Sequence, residues 1–172
     1  MFRRYGLNKP RYLVPVVPHY LVAIDLGKRK AGVAVFRVEP DRDYSVMVAC
    51  ATVTSNKLAQ AVVDYVQIDD DLPVRWVCEW PMKYDDKRLY HEAIEDLQAV
   101  GNALEDLVGG WSDKYRPGEW KGHVPKRVHH RRVNKALRPA ELALMPAVAE
   151  HDAWDAAGIG LFALARTKRG GA

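Results

Sequence analysis

The chain has 172 residues, 48% of them hydrophobic and 28% charged, which fits one globular domain and excludes a wholly disordered chain. Its two cysteines, Cys50 and Cys78, stand in apolar runs without a C-x-x-C pair, which argues against a disulfide framework and against a structural zinc site. No apolar run approaches the ~20 residues of a membrane span, so a cytoplasmic protein is expected, and the net charge of +4 suggests a polyanionic partner.

The predicted elements begin after a basic, irregular arm at residues 1–18. Tyr20–Asp25 is predicted as a short buried strand, Ala31–Val38 as a second strand and Tyr44–Thr54 as a third. The short turns between these strands favour an antiparallel meander. Ser55 is a good N-cap for a helix that ends near residue 69. The next strand, Val74–Glu79, is expected to pair parallel to a neighbour because a helix precedes it.

The second half of the chain is predicted to be mostly helical. Its longest helix, Arg88–Val108, has an apolar stripe at 3- and 4-residue spacing formed by Ala93, Leu97, Val100, Leu104 and Leu107, together with Leu89. Trp111–Trp120 is ambiguous, with an edge strand as one alternative. Further helices are predicted at residues 126–137, 139–145 and 151–166, before a basic tail at 167–172. The order of elements predicts an α/β domain at residues 19–166 with a mixed sheet.

Four carboxylates stand at the ends of these elements. Asp25 closes the first predicted strand and Glu79 closes the fourth, while Asp152 and Asp155 begin the last helix, three positions apart and therefore on one face. If they converge, they repel one another unless a cation neutralises them. Carboxylate oxygens suit Mg²⁺ or Mn²⁺, and two such ions ~4 Å apart hydrolyse phosphodiesters in many nucleases.

Each of these acids also has an ordinary structural interpretation. A single Asp at a strand end is usually a turn residue, and an Asp in a first helical turn usually caps the helix or complements its dipole. Glu79 is the stronger candidate, because an acid that follows a buried strand is costly without a partner. The four acids together, in this order, favour a catalytic site over four separate structural roles.

At these positions the sequence resembles the RuvC-type Holliday junction resolvases. The run from Asp25 to Ala34 matches the family's opening D-x-G-x-x-x-x-G-x-A, Glu79 follows on the strand after the first helix, and Asp152 to Ala156 is similar to its D-x-x-D-A. The likeness follows the order of elements from about Leu21 to Arg166. The longer arm and the basic region 111–138 depart from the bacterial pattern and look more like the versions carried by phages.

The resemblance implies a ribonuclease H-like fold with a central five-stranded sheet. It also implies a homodimer that binds a four-way DNA junction and nicks two strands. By position, Asp25, Glu79, Asp152 and Asp155 would be the metal-binding catalytic acids. Some family members have a histidine in place of one helical acid, so His151 is an auxiliary candidate beside a more ordinary role as a surface residue at the helix start.

A second feature is a basic segment from Lys121 to Arg138, with seven Lys or Arg, three histidines and no acid. Solvated faces usually mix charges of both signs, so this segment favours contact with phosphates. Trp120 or one of the histidines is a candidate to stack on an unpaired base. The predicted nucleic-acid contacts are Lys28, Arg29, Lys30, Lys83, Lys121, Lys126, Arg127, Arg131, Arg132 and Lys135.

Several functions remain open on the sequence alone. The leading hypothesis is a metal-dependent endonuclease for branched DNA. The same acids would serve a ribonuclease H-like nuclease acting on an RNA–DNA hybrid. A non-catalytic nucleic-acid-binding module is a third alternative. A nucleotide binder of the sugar-kinase or actin type ranks low, because it needs a duplicated domain and further glycine-rich loops that 172 residues do not provide.

Overall fold

The computed structural model describes residues 17–42, 44–54, 72–82, 91–147 and 150–167, with residues 2–3, 14–15, 57 and 64 besides. The helix predicted after Ser55 lies almost wholly outside the described residues. In the predicted arm, Phe2–Arg3 (β1) and Val14–Pro15 (β2) form a short antiparallel pair.

A mixed five-stranded sheet forms the centre of the fold. Its strands are His19–Asp25 (β3), Lys30–Glu39 (β4), Tyr44–Thr54 (β5), Val74–Glu79 (β6) and Asp113–Tyr115 (β7), in the spatial order β5-β4-β3-β6-β7. The first three strands pair antiparallel, and β6 and β7 continue the sheet in parallel. The predicted meander and parallel fourth strand are confirmed, and the ambiguous region supplies the edge strand β7.

The described helices are His91–Val108 (α1), Pro117–Trp120 (α2), Lys126–Ala136 (α3), Pro139–Leu142 (α4) and His151–Ala163 (α5). The last helix ends three residues before the predicted Arg166. Ala165 has a left-handed φ of 56°, and the amide of Arg166 donates to the carbonyl of Leu161 at 2.9 Å, which closes the helix end. No helix within the described ranges is long and apolar enough to span a membrane.

Alternate residues of β3 face two separate cores, as the period of a strand requires. Leu21 and Ala23 belong to the core under α5, while Val22 and Ile24 belong to the core that includes Leu104 of α1. The sheet is therefore buried on both faces, which explains why β3 is a continuous apolar run instead of an alternating one.

Helix α5 lies directly against the sheet. Every residue from Ala153 to Phe162 is buried, and a Cβ on Gly160 would meet the Phe36 ring, with Cδ2 at 2.9 Å. A Cβ on Gly32 would collide with the backbone carbonyl of Asp152. The small residues of this helix allow this close approach, which sets the start of α5 beside the end of β3.

The predicted apolar stripe of the longest helix is wrong at two positions. Ala93 is exposed and Leu107 is 60% exposed, whereas Ile94, placed off the stripe, is half-buried. The contact face includes Gly101, where a Cβ would come within 2.8 Å of the Trp80 ring and 3.0 Å of Leu26. Because glycine adds nothing to an apolar pattern, the sequence did not show that the face of α1 around Gly101 packs closely against Trp80 and Leu26.

Candidate active site

The two strand-end acids are direct neighbours in the sheet. Asp25 is the last residue of β3, Glu79 is the last residue of β6, and the two are opposite each other in the parallel register. Both are half-buried. Parallel strands end at the same edge of a sheet, which is why acids 54 positions apart in the chain come together here.

The start of α5 adds two more acids to this edge. Gly32 pairs with Asp25 across β3 and β4, and the same glycine packs against the backbone of Asp152. Asp152 is half-buried and Asp155, one helical turn further on, is only 6% exposed. The missing side chain of Gly32 therefore lets the first turn of α5 approach the carboxylate of Asp25.

The ionisation of Asp25 is affected by the charges of all three other acids. Burial raises the pKa of Asp25 well above its ordinary value, and the negative charges of three neighbours raise it further: Glu79, then Asp155, then Asp152. Asp25 is thus the centre of an acid cluster, defined as Asp25, Glu79, Asp152 and Asp155. A carboxylate in this position is stabilised by any cation that enters the cluster.

The basic segment supplies cations to this cluster. The ammonium of Lys121 lies 3.0 Å from Glu79 Oε2, and that of Lys126 lies 3.3 Å from Asp155 Oδ2. Burial by itself lowers the pKa of Lys121, but the carboxylates around it, Glu79 first, outweigh burial and raise it. The Trp120 indole N–H also donates to Glu79 Oε2 at 2.7 Å.

Two histidines of α3 approach Asp155 from the other side. His130 Nε2 lies 3.0 Å from Asp155 Oδ1, within hydrogen-bond distance, while His129 Nε2 is 3.9 Å from the same atom. Burial lowers the pKa of His129 to about 4, and its ring meets Trp120 edge-on. His130 in turn stacks on His151, with ring centroids 5.3 Å apart.

Comparison with solved structures identifies the fold of the chain. Thermus thermophilus RuvC in complex with Holliday junction substrate superposes with a TM-score of 0.55 at 15% identity, over 83% of this chain and 90% of that one. A second structure of Thermus thermophilus RuvC gives 0.53 at 16% identity, covering 83% and 91%. The fold is that of the RuvC-type resolvases. The ribonuclease H-like architecture expected from the sequence is confirmed.

A viral structure matches to a similar extent. The Fowlpox virus resolvase, solved with substrate Holliday junction DNA, has a TM-score of 0.50 and 12% identity, over 85% of this chain and 97% of that one. No protein-family model matches the sequence, and no curated protein matches it. The chain therefore has a RuvC-type fold at a sequence identity of only 12–16% with these structures.

On this RuvC-type fold the predicted cationic residues fall into three groups. Lys121 and Lys126 contact the acid cluster, whereas Lys28 pairs with Asp96 of α1 at 2.5 Å on the exposed surface. The remaining described cations are exposed: Arg29, Lys30, Arg127, Arg131, Arg132 and Lys135. Lys83 lies outside the described residues, so its predicted contact stays a prediction.

The structure gives Trp120 a role that sequence reasoning missed. Trp120 is only 3% exposed, so its ring is in the core and does not stack on DNA as the sequence suggested. Its indole N–H holds Glu79 instead. The auxiliary candidate His151 stacks on His130, and it is His130 whose Nε2 lies 3.0 Å from Asp155 Oδ1. The only sequence signal for Trp120 was its position next to the basic segment.

The carboxylates of the acid cluster are the type of ligand that suits the divalent ion implied by the sequence resemblance. Within the described residues no three His, Cys, Asp or Glu side chains are grouped closely enough to hold a metal ion as they stand. The chemistry of the acid cluster is nevertheless suitable, because carboxylate oxygens are the ligands of hard cations and a cation would offset the repulsion that Asp25 receives from its three neighbours. Asp25, Glu79, Asp152 and Asp155 are the residues that would hold it.

Proposed function

We propose that this protein is a metal-dependent endonuclease that cuts branched DNA, with the four-way junction as its main substrate. One observation carries the proposal: Asp25 and Glu79 end neighbouring parallel strands in register, and the first turn of α5 packs on Gly32 beside them. Two lysines of the basic segment contact the same group of acids, Lys121 at Glu79 and Lys126 at Asp155. Acids that bind a cation and cations that bind phosphate thus share one site.

Mg²⁺ or Mn²⁺, two ions per site, would activate a water molecule and stabilise the leaving oxygen during phosphodiester hydrolysis. The residues of the chain itself orient this chemistry. Trp120 holds one oxygen of Glu79, and His130 holds one oxygen of Asp155. Lys121 brings a positive charge to the point where the scissile phosphate would enter. These contacts keep the carboxylates in fixed positions before DNA arrives.

The DNA path would follow the exposed cations of α3 and of the β3–β4 turn. Arg127, Arg131, Arg132 and Lys135 are exposed on α3, while Arg29 and Lys30 are exposed close to Asp25 in sequence. Two copies of the chain, each with its nuclease unit at residues 19–166, would place two such sites on one junction. Lys83 would join this surface if the segment after Glu79 faces the same edge.

The decisive experiment compares the wild-type protein with Asp25→Asn on labelled DNA at fixed salt. Asn keeps the shape of the side chain and removes one ligand charge, so we expect the rate of junction cleavage to fall at least 100-fold, the order lost with an electrostatic catalytic group. Asp106→Asn is the matched control, because it makes the same chemical change at an exposed carboxylate of α1. Both variants are assayed with and without Mg²⁺.

The substrate panel separates the remaining alternatives. A four-way junction, a linear duplex and an RNA–DNA hybrid of the same sequence are compared. Cleavage of the hybrid alone would assign a ribonuclease H-like activity. If the Asp25→Asn protein cuts at the wild-type rate, the acid cluster is not the catalytic site. A protein that binds the junction but neither binds Mg²⁺ in calorimetry nor cuts DNA would be a binding module.

A further inference from the structure

A cavity of about 460 Å³ lies beside the acid cluster, between α3 and the start of α5. Its volume is in the range of small-molecule sites, about 300–1,000 Å³. Seven described residues line it: Lys126, Arg127, His130, Arg131, Asn134, His151 and Trp154. The lining residues from α3 are three and four positions apart in sequence, so they lie on one face of that helix, and this face forms one wall of the cavity.

The lining combines positive charge with stacked rings. Lys126, Arg127 and Arg131 are cationic, and none of the described lining residues is acidic. The ring of His130 stacks on that of His151 at an interplanar angle of 29° and is tilted by 31° to that of Trp154, with centroids 5.3 and 5.9 Å apart. Cations beside an aromatic stack are the features that bind single-stranded nucleic acid, where phosphates meet charges and bases meet rings.

The cavity shares residues with the acid cluster. Lys126 and His130 both line it, and both contact Asp155, at 3.3 and 3.0 Å. A group bound in the cavity is therefore separated from Asp155 by a single side chain. Any ligand would have to be compatible with a DNA strand whose phosphate lies at the cluster.

We propose that this cavity binds one unpaired nucleotide of the branched DNA, next to the phosphate that is cut. The inference rests on the proposed nuclease function and adds a binding subsite to it. The base would stack on the exposed ring of His151, the flanking phosphates would contact Arg127 and Arg131, and the Asn134 amide would offer a donor and an acceptor to the base edge. A base paired inside a duplex is stacked and does not enter a concave site.

The test measures binding affinity while one base of the DNA and one side chain of the protein are removed, separately and together. Four-way junctions that each carry one abasic site, placed in turn at every position around the branch, are titrated with the Asp25→Asn protein at fixed salt. An abasic site removes the base and keeps the phosphate charge. We expect one position at which the affinity falls about tenfold, the effect of losing one stacked base.

Variants of exposed residues then assign that base to the cavity. When His151→Ala is combined with Asp25→Asn, the loss of affinity caused by the abasic site should shrink to less than twofold, because the ring on which the base stacks is gone. Arg131→Ala and its neighbour Arg132→Ala form a matched pair, since both remove one exposed charge and only Arg131 lines the cavity. Each should reduce the slope of log affinity against log salt by about 1. Only Arg131→Ala should also reduce the abasic penalty.

Two results would overturn this subsite without touching the nuclease assignment. One is a junction series in which no abasic position weakens binding. The other is a penalty that His151→Ala leaves unchanged, which would place the base elsewhere. Failure of the nuclease assignment appears separately, as undiminished cutting by the Asp25→Asn protein or as no cutting by the wild type.

Discussion

Glu141 forms a buried ion pair that ties the C-terminal part of the chain to the sheet. Its side chain is 0% exposed and accepts hydrogen bonds from the backbone amides of Met47 and Arg138, at 2.8 and 2.7 Å. The guanidinium of Arg166 donates to both of its oxygens, at 2.7 and 2.6 Å. One carboxylate thus connects β5, the start of α4 and the residues after α5.

These contacts determine how much the charge of Glu141 stabilises the fold. Burial by itself raises its pKa, but the hydrogen bonds from Arg166, Arg138 and Met47 outweigh burial and lower the pKa from 4.5 to about 2. Since one pKa unit corresponds to about 1.4 kcal/mol, the ionised form contributes about 3 kcal/mol to the free energy of unfolding at neutral pH. A value of this size is a large part of the stability of a typical domain.

We therefore expect Glu141→Gln to lower the free energy of unfolding at pH 7 by about 3 kcal/mol, because it leaves a poorly exposed Arg166 without its counter-charge. The pKa is lower in the folded protein than in the unfolded chain. The stabilisation by the ionised Glu141 is therefore fully present above the pKa of the unfolded chain, near 4.5. It is lost as the pH falls towards the pKa of the folded protein, about 2. Urea denaturation at pH 7 and at pH 3 measures both effects.

Glu119 provides a matched control. It occupies the equivalent position of a second R-P-x-E sequence and also accepts the backbone amide at the start of its helix, from Arg116 at 2.7 Å, but it is exposed. Glu119→Gln should cost no more than about 1 kcal/mol, the value of a helix cap alone. Equal losses for the two variants, or a Glu141→Gln loss that is the same at pH 7 and pH 3, would refute the buried-pair explanation.

Three further predictions concern the acid cluster and the two cores. Asp25→Asn should raise the midpoint of thermal unfolding in metal-free buffer at pH 7, because it removes a carboxyl group whose ionisation is disfavoured by burial and by the neighbouring carboxylates; a lower midpoint would contradict the coupling. Gly160→Ala should cost about 1–3 kcal/mol in urea denaturation, since its Cβ meets the Phe36 ring; no loss would mean that the helix shifts freely. Leu104→Ala should cost about 2–5 kcal/mol and Leu107→Ala less than about 0.5, and a cost at Leu107 as large as that at Leu104 would restore Leu107 to the stripe predicted from sequence.

The sequence by itself determined the strands, their pairing and the candidate acids. Tyr44–Thr54 and Val74–Glu79 were predicted with their observed bounds, because length, β-branched residues and flanking turns are local signals. The same local signals placed Asp25 and Glu79 at strand ends and Asp152 and Asp155 in the first turn of a helix, and left their convergence as a hypothesis.

Tertiary structure decided which side chains meet across long stretches of chain. The residues around Glu79 in sequence do not show that its carboxylate accepts a hydrogen bond from Trp120, 41 positions away. The residues around Met47 likewise do not show that its backbone amide donates to Glu141, at a separation of 94. The exposure of Leu107 depends in the same way on a close contact at Gly101. Local patterns record how polar each residue is, but the partner of a buried polar group depends on how the packed elements bring distant positions together.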